Sequence, residues 1–374
     1  MRTSFARPSL QLQLTRKKKS GGIAGLDIEA GSVAATEVSG SNGSTHVTAS
    51  AIQPLEPGTF HEGEVLDPDR LAAALKTLFS EHKLSKKVRL GVGNQRVVVR
   101  TLRLPAIEDP KEMDAAIRFQ AQEQIPMPLD QAVLEHQIVG GVPAEEGAAP
   151  QVDVVVVAAR RDMVSSFIEP IRRAGLEPVG VDLSAFAMIR ALADASAIQG
   201  EGEGDAGRRP NEAVLYCNVG DVTNLAVARG RSCLFTRVSH AGLEAMAERL
   251  AAARGLSAEH AVQWLAYVGL EHPLEQLDGD PETVSEARAA LEEGVAGLLD
   301  ELRLSLDYYG AQEGALPVGR IVLSGPGGAL DGLARRMEEN LGRPIAVCRP
   351  TGLAEFDAAA AARLTLSYGL ALEG

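Results

Sequence analysis

Apolar and polar residues alternate with a period of two over Ile23 to Val38, I-A-G-L-D-I-E-A-G-S-V-A-A-T-E-V, interrupted once. This predicts strand, tight turn, strand. Ile23, Leu26 and Ile28 supply apolar positions of the first strand, and Asp27, Glu29, Gly31 and Ser32 gather at the bend. Gly31 permits positive φ there and lets backbone N–H groups point into the bend. A carboxylate, a glycine and a hydroxyl on one bend suit a phosphate and its metal ion. The pattern returns at Val214 to Ala228, V-L-Y-C-N-V-G-D-V-T-N-L-A-V-A, again with a glycine, Gly220, in the bend. Asn218 stands where Asp27 stood, Val219 where Ile28 stood and Thr223 where Ser32 stood, each 191 positions on (218−27, 219−28, 223−32).

Between and after the hairpins the period switches between strand and helix. Thr45 to Ile52 alternates like a strand, and Asp69 to His82 places Leu71, Leu75 and Leu78 on one helical face. Strands are expected at Val88 to Val92 and Arg96 to Leu104. Pro110 opens a helix that stops at Ile125-Pro126-Met127-Pro128, since neither proline can continue it. Val133 to Val139 and Val152 to Ala158 read as strands around a loop. Asp162 is expected to cap a helix through Ile171, and Asp182 with Ser184 one through Leu192. Glycines and charges dominate Gln199 to Glu212, the best boundary between lobes. Beyond it come a strand at Ser232 to Val238 and helices at Ala241 to Arg254, Ala258 to Tyr267 and Val284 to Tyr309. The last carries Leu291, Val295, Leu298, Leu302 and Leu306 on one stripe. Arg320 to Leu323 is a strand, Ser324 to Ala329 a glycine turn opening a helix, and Leu353 to Leu364 an Ala-rich helix.

At 374 residues the chain is too long for one ordinary core, so two lobes are expected. A net charge of −13 argues against nucleic acid as the main partner. Cys217, Cys233 and Cys348 lack metal-ligand spacing and read as buried thiols of a reducing compartment. No apolar run approaches the ~20 residues that span a bilayer. Arg16 to Lys19 adjoin no long apolar run, so residues 1–20 read as a disordered basic leader. Attraction of that run to anionic lipid, at about 1 kcal/mol per charge near the surface, is the alternative.

The third glycine turn, Ser324-Gly325-Pro326-Gly327-Gly328, lets a ring or phosphate approach the backbone. With the two hairpins it outlines a cleft between lobes. At this point the chain resembles the actin-like ATPases. Within them it resembles the PilM family of type IV pilus assembly proteins, relatives of FtsA. The telling stretches are Ile117 to Val139, with its helix and Ile-Pro-x-Pro break, and Val154 to Leu192, with V-V-V-V-A-A-R-R-D-M-V and A-G-L-E-P-V-G-V-D.

The resemblance implies an α/β, duplicated ribonuclease H-like, two-lobed fold. Subdomain 1A would comprise 21–87 and 177–198, an FtsA-type 1C 88–176, a linker 199–212, 2A 213–240 with 316–374, and 2B 241–315. It implies ATP and Mg²⁺ between the lobes. Asp27, Gly31, Ser32, Gly220, Thr223, Ser324, Gly325, Gly327 and Gly328 would hold the nucleotide. Asp27, Asn218 (through water) and Asp182 would serve the metal. It also implies a cytoplasmic protein, open to self-association, that binds the N-terminal cytoplasmic segment of a PilN-like membrane protein on the 1A–1C side.

The chain departs from that family's first loop, Asp-Ile-Gly-Ser-x-Ser-x-Lys. Glu29 replaces a glycine, Ala34 stands at the lysine, and Asn218 replaces the second loop's aspartate. A carboxylate about 4 Å from a phosphate charge costs on the order of 4 kcal/mol at an effective dielectric of 20. No general base stands out, so ATP hydrolysis is at most weak. Competing readings are a sugar- or acetate-type kinase, with Asp221 as the nearest candidate carboxylate, and an FtsA-like division protein. The final S-Y-G-L-A-L-E-G carries no basic apolar tail of the kind the latter would use. Glu244 and Glu248 are expected to be solvated on a helical face.

Overall fold

The computed structural model describes residues 22–40, 45–142, 150–199 and 212–372. The basic leader and nearly all of the linker expected above lie outside the described residues. The first lobe opens with β1 (Ala24–Ile28), β2 (Ser32–Ser39) and β3 (His46–Pro54). A small hairpin, β4 (Phe60–His61) and β5 (Glu64–Val65), leads to α1 (Pro68–His82) and β6 (Lys87–Val92). An inserted unit follows: β7 (Val97–Pro105), α2 (Pro110–Gln124), β8 (Ala132–Val142) and β9 (Gln151–Arg160). The chain returns through α3 (Arg161–Arg173), β10 (Glu177–Leu183) and α4 (Ser184–Gln199). The second lobe holds β11 (Ala213–Val219), β12 (Thr223–Arg229), β13 (Ser232–Ser239), α5 (Leu243–Arg254), α6 (Ala258–Val268) and α7 (Pro281–Gly310). It ends with β14 (Val318–Ser324), α8 (Leu333–Leu341), β15 (Ile345–Val347) and α9 (Ala358–Ala371).

The duplication expected from the two hairpins is present at the level of whole sheets. One sheet runs β3-β2-β1-β6-β10 and the other β13-β12-β11-β14-β15. In each, the first three strands are antiparallel and the next two join in parallel. The constant offset of 191 holds only into the bend. Ile28 pairs with Val33, whereas Val219 pairs with Thr223. The first turn is therefore one residue longer, and Thr223 matches Val33 in register, leaving Val222 opposite Ser32.

Element starts follow their caps. Asp67 accepts the Asp69 and Arg70 N–H groups at the head of α1, and Asp109 accepts those of Lys111 and Glu112 before α2. The α7 stripe faces inward as predicted, with Leu291, Leu298 and Leu302 fully buried. Two expected caps fail. Arg160 precedes α3 without a side-chain cap, and Asp162 instead forms an ion pair with Arg160. Asp182 lies inside β10.

The inserted unit is narrower than 88–176. β6 is an interior strand of the first sheet, paired in parallel to both β1 and β10. α3 buries Met163, Phe167 and Ile171 in the first lobe's core. What protrudes is a three-stranded sheet, β7-β9-β8, whose core with α2 is built on Leu102, Ile117, Ala121 and Val154.

The Ala-rich helix is displaced from its expected span. It begins after Asp357, which accepts the Ala360 N–H, and runs to Ala371. Nearly every residue from Ala361 to Ala371 is buried. Although it follows second-lobe strands, α9 packs beside α4 against β1 and β2. Together α4 and α9 form a layer that both sheets cover: Met188, Leu192, Leu364 and Tyr368 share one core with Ala34, Tyr216 and Val322. The expected assignment of 316–374 wholly to the second lobe is corrected accordingly.

Candidate functional site

The two hairpin turns face each other and touch. The Gly31 N–H donates to Asp221 Oδ2 at 3.1 Å. Glu29 reaches across to the second turn, where a Cβ on Gly220 would lie 2.1 Å from Glu29 Oε1. Gly31 does not use the positive φ open to it; the bend closes by a Glu29 N–H to Ser32 carbonyl bond of 3.0 Å.

Asp27, at 3% exposure, sits under this contact. Its partner is Arg363 of α9, a residue that sequence reasoning missed. Arg363 Nη1 donates to Asp27 Oδ2 at 2.5 Å. Nε donates to Ser32 Oγ at 2.7 Å and lies 3.2 Å from Glu29 Oε2. Nη2 donates to the Ser32 carbonyl at 2.7 Å. The guanidinium thus ties together the whole first turn from below. Burial pushes the Asp27 carboxyl above its usual range, against the pull of Arg363 and helped by nearby Asp221. Burial likewise pushes Glu29 up to about 8, with Arg363 opposing and Asp221 and Asp27 adding to the rise. A signal for Arg363 existed: a lone cation in an otherwise apolar helix needs a buried partner.

Most of the other expected polar site groups bond within the protein. Thr223 donates its hydroxyl to the Ala241 carbonyl at 2.7 Å. Asn218 donates from Nδ2 to Ser324 Oγ at 3.2 Å, while its Oδ1 is buried without a partner. Asp182 is ion-paired with Arg190 and accepts the Leu183 N–H. The third turn forms a short 3₁₀ segment, Pro326–Ala329, and does not open α8 directly. Gly325 takes φ 81°, and a Cβ on Gly327 would lie 2.4 Å from Val219 Cγ1. Glycine is needed there for the turn to lie on the β11 end. Gly328 is not so constrained, its nearest neighbour being Leu323 Cγ at 3.4 Å.

Glu244 is not solvated as expected. It bonds to His61 Nδ1 at 2.9 Å and accepts the Glu62 N–H, so α5 is tied to the β4–β5 hairpin across the lobes. With Glu248 these side chains form the one group of three metal-ligand types, among the described residues, whose ligand atoms all lie within 4.8 Å of one another.

A cavity beside the two hairpin turns, bounded by Asp27, Glu29, Gly93, Ser184, Asp221 and Asn224, holds about 20 Å³. That is room for about one water, against the roughly 300 Å³ or more of a small-molecule pocket. As arranged, these residues do not fit ATP with Mg²⁺. The carboxylate that would serve a metal is already paired, and Glu29 occupies the approach to Gly220.

Comparison with known proteins gives the family. The family model described as type IV pilus assembly protein PilM matches residues 25–373. The chain belongs to the PilM family. Among solved structures it is similar to a PilM–PilN type IV pilus biogenesis complex, at 27% identity over 94% of this chain and 97% of that one, with a TM-score of 0.74. The ethanolamine utilization protein EutJ from Carboxydothermus hydrogenoformans matches at 12% identity over 94% and 89% of the two chains, TM-score 0.50. MreB5 of Spiroplasma citri, solved with ADP bound, matches at 12% identity over 94% and 95%, TM-score 0.49. The fold is actin-like, as expected. Among the described residues no helix is long and apolar enough to cross a membrane.

Proposed function

We propose that this PilM-family protein is a cytoplasmic component of the type IV pilus inner-membrane assembly platform. It holds the N-terminal cytoplasmic segment of a PilN-like membrane protein and sits at the membrane through that partner. The observation carrying this reading is the near end-to-end likeness to a solved PilM–PilN complex.

The chain offers a place for such a segment where the inserted unit joins the lobes. A cavity of about 270 Å³ opens between the ends of β6 and β10, the start of β7, and β12 and β13. Val92, Val97, Leu183 and Val238 give it apolar walls, and Asn94 and Thr236 add polar groups that can bond a peptide backbone. The proposed seat lies where the first lobe and the inserted unit meet, with the second lobe contributing a wall.

ATP and Mg²⁺, implied by the resemblance, do not enter this reading as a working ligand, given the fit of the turns. Nor does turnover. The kinase alternative gains no support either, because its candidate carboxylate, Asp221, is held by the Gly31 N–H.

A fluorescently labelled peptide carrying the cytoplasmic N-terminal segment of the PilN-like protein tests the proposal. Saturable binding, weakened by Val97→Asp, is expected. Absence of binding by the wild-type chain would remove the reading.

A further inference from the structure

The turns carry a cation of their own. Arg363 is 8% exposed, and three of its nitrogens bond the turn on which an actin-like protein would hold metal and phosphate. The substitutions form a set. Glu29 adds a carboxylate where the family loop has glycine, and Ala34 removes the lysine. Without the lysine, the buried oxygens of Asp27, Glu29 and Ser32 need hydrogen-bond donors from elsewhere. Arg363 supplies them from a helix whose own seat is fixed. Thr36 and Ser367 hydroxyls meet at 2.7 Å, Arg89 Nη1 donates to the Leu370 and Leu372 carbonyls, and Arg190 Nε to that of Gly369. These contacts seat α9 against the first sheet and so keep Arg363 within reach of the turn.

We propose that Arg363 replaces the metal and phosphate of the actin-like cleft, so that an internal Arg363–Asp27–Glu29 cluster holds the lobes together and the protein works without nucleotide. Glu29 is the element that transmits this closure. Arg363 holds one of its oxygens, and the other lies over Gly220 of the opposite turn. The Gly31 N–H bond to Asp221 is the second link. A nucleotide could enter only by breaking the contacts of Arg363 with Asp27 and Glu29 and the turn-to-turn contact together. The cluster adjoins the proposed peptide cavity, the two sharing Asn224 in their linings, but dialysis and chemical rescue are read without peptide, so the two proposals can fail separately.

Equilibrium dialysis of the full-length protein against labelled ATP with MgCl₂, to millimolar concentration, is the first test. No saturable binding is expected. Saturable binding that Asp27→Asn weakens overturns the proposal. The second test is chemical rescue. Arg363→Ala should lower Tm by roughly 5–10 °C, and millimolar ethylguanidinium should recover part of the loss while leaving wild type unmoved. Unchanged Tm in Arg363→Ala, or equal effects on variant and wild type, counts against the cluster. Should Arg363→Ala not fold, Arg363→Lys replaces it. A cation without the planar fork should leave a Tm deficit, and full restoration of wild-type Tm would deny the guanidinium its role. Titration of the PilN-type peptide with and without MgATP completes the set. Equal affinities are expected, and an affinity that MgATP alters overturns nucleotide-free working even where the partner reading holds.

Discussion

Glu29 and Gly220 lie so close across the cleft that a methyl group on the glycine would sit 2.1 Å from the glutamate's Oε1. Only a residue without a side chain leaves room for this contact. Gly220→Ala should push Glu29 aside or part the turns, at a cost of about 1–3 kcal/mol. Gly31 is the control on the facing turn. It has no positive φ, and a Cβ there would meet nothing within 4 Å, so Gly31→Ala should change stability by less than about 1 kcal/mol. Urea unfolding of both variants against wild type measures the difference, and equal midpoints would show that the turns do not press on each other.

The same cluster fixes a pH dependence. Glu29 titrates near 8 in the folded chain against 4.5 when free, because burial disfavours its charge. Folding therefore favours the protonated form. The contribution to stability is complete below the free value and disappears as pH rises through about 8. Asp27 shifts in the same direction and adds to the trend. Wild type should lose stability steadily from about pH 5 to about pH 9, and Glu29→Gln, which stays neutral, should flatten much of that slope. Urea midpoints across the range decide it; a parallel profile in the variant would assign the slope to other groups.

The two lobes and their hairpins were legible because strand periodicity and turn residues are local signals. β1 with β2, and β11 with β12, are each contiguous in sequence, and the stripe of α7 keeps one phase along a helix of 30 residues. What failed was long-range or phase-free. α9 is apolar on every side, so no stripe marks its ends, and its start depends on Asp357 alone. The one-residue difference between the turns shows only when Val219 is paired with Thr223, which a constant offset of identities conceals. Arg363 meets Asp27 across 336 positions and Glu244 meets His61 across 183. No periodicity reports such pairings. The departures at Glu29 and Ala34 did signal a changed charge balance, but not where the compensating cation would come from.

Burial sets the behaviour of the thiols. Cys217 is fully buried and its thiol is pushed up to about 12; burial pushes Cys233 up to about 12 as well, partly offset by the Phe235 backbone. Cys348 shifts upward for the same reason. Thiolate is the reactive form, so all three should resist a disulfide reagent near pH 8 in the native protein and react promptly in denaturant. A native burst of one equivalent or more, read by absorbance, would contradict this.

The His61–Glu244 pair is a second tie between lobes, and its strength should depend on pH. The Glu244 hydrogen bond raises the imidazole above its usual range, outweighing burial, and Glu248 and Glu62 add to the rise. Glu244 is itself raised by burial, with His61 opposing and Asp221 adding. His240, 3.3 Å from Glu62, belongs to the same surface. Folding thus favours the charged imidazole, and its contribution is full below the free value of 6.5 and vanishes as pH climbs through the raised one. His61 keeps 39% of its side chain exposed, so solvent screens the pair and about 0.5–1 kcal/mol is a fair ceiling. A double-mutant cycle of His61→Ala and Glu244→Ala should return that coupling near pH 6 and almost none near pH 9. Coupling that persists unchanged at the higher pH would mean that a neutral hydrogen bond, not an ion pair, joins α5 to the β4–β5 hairpin.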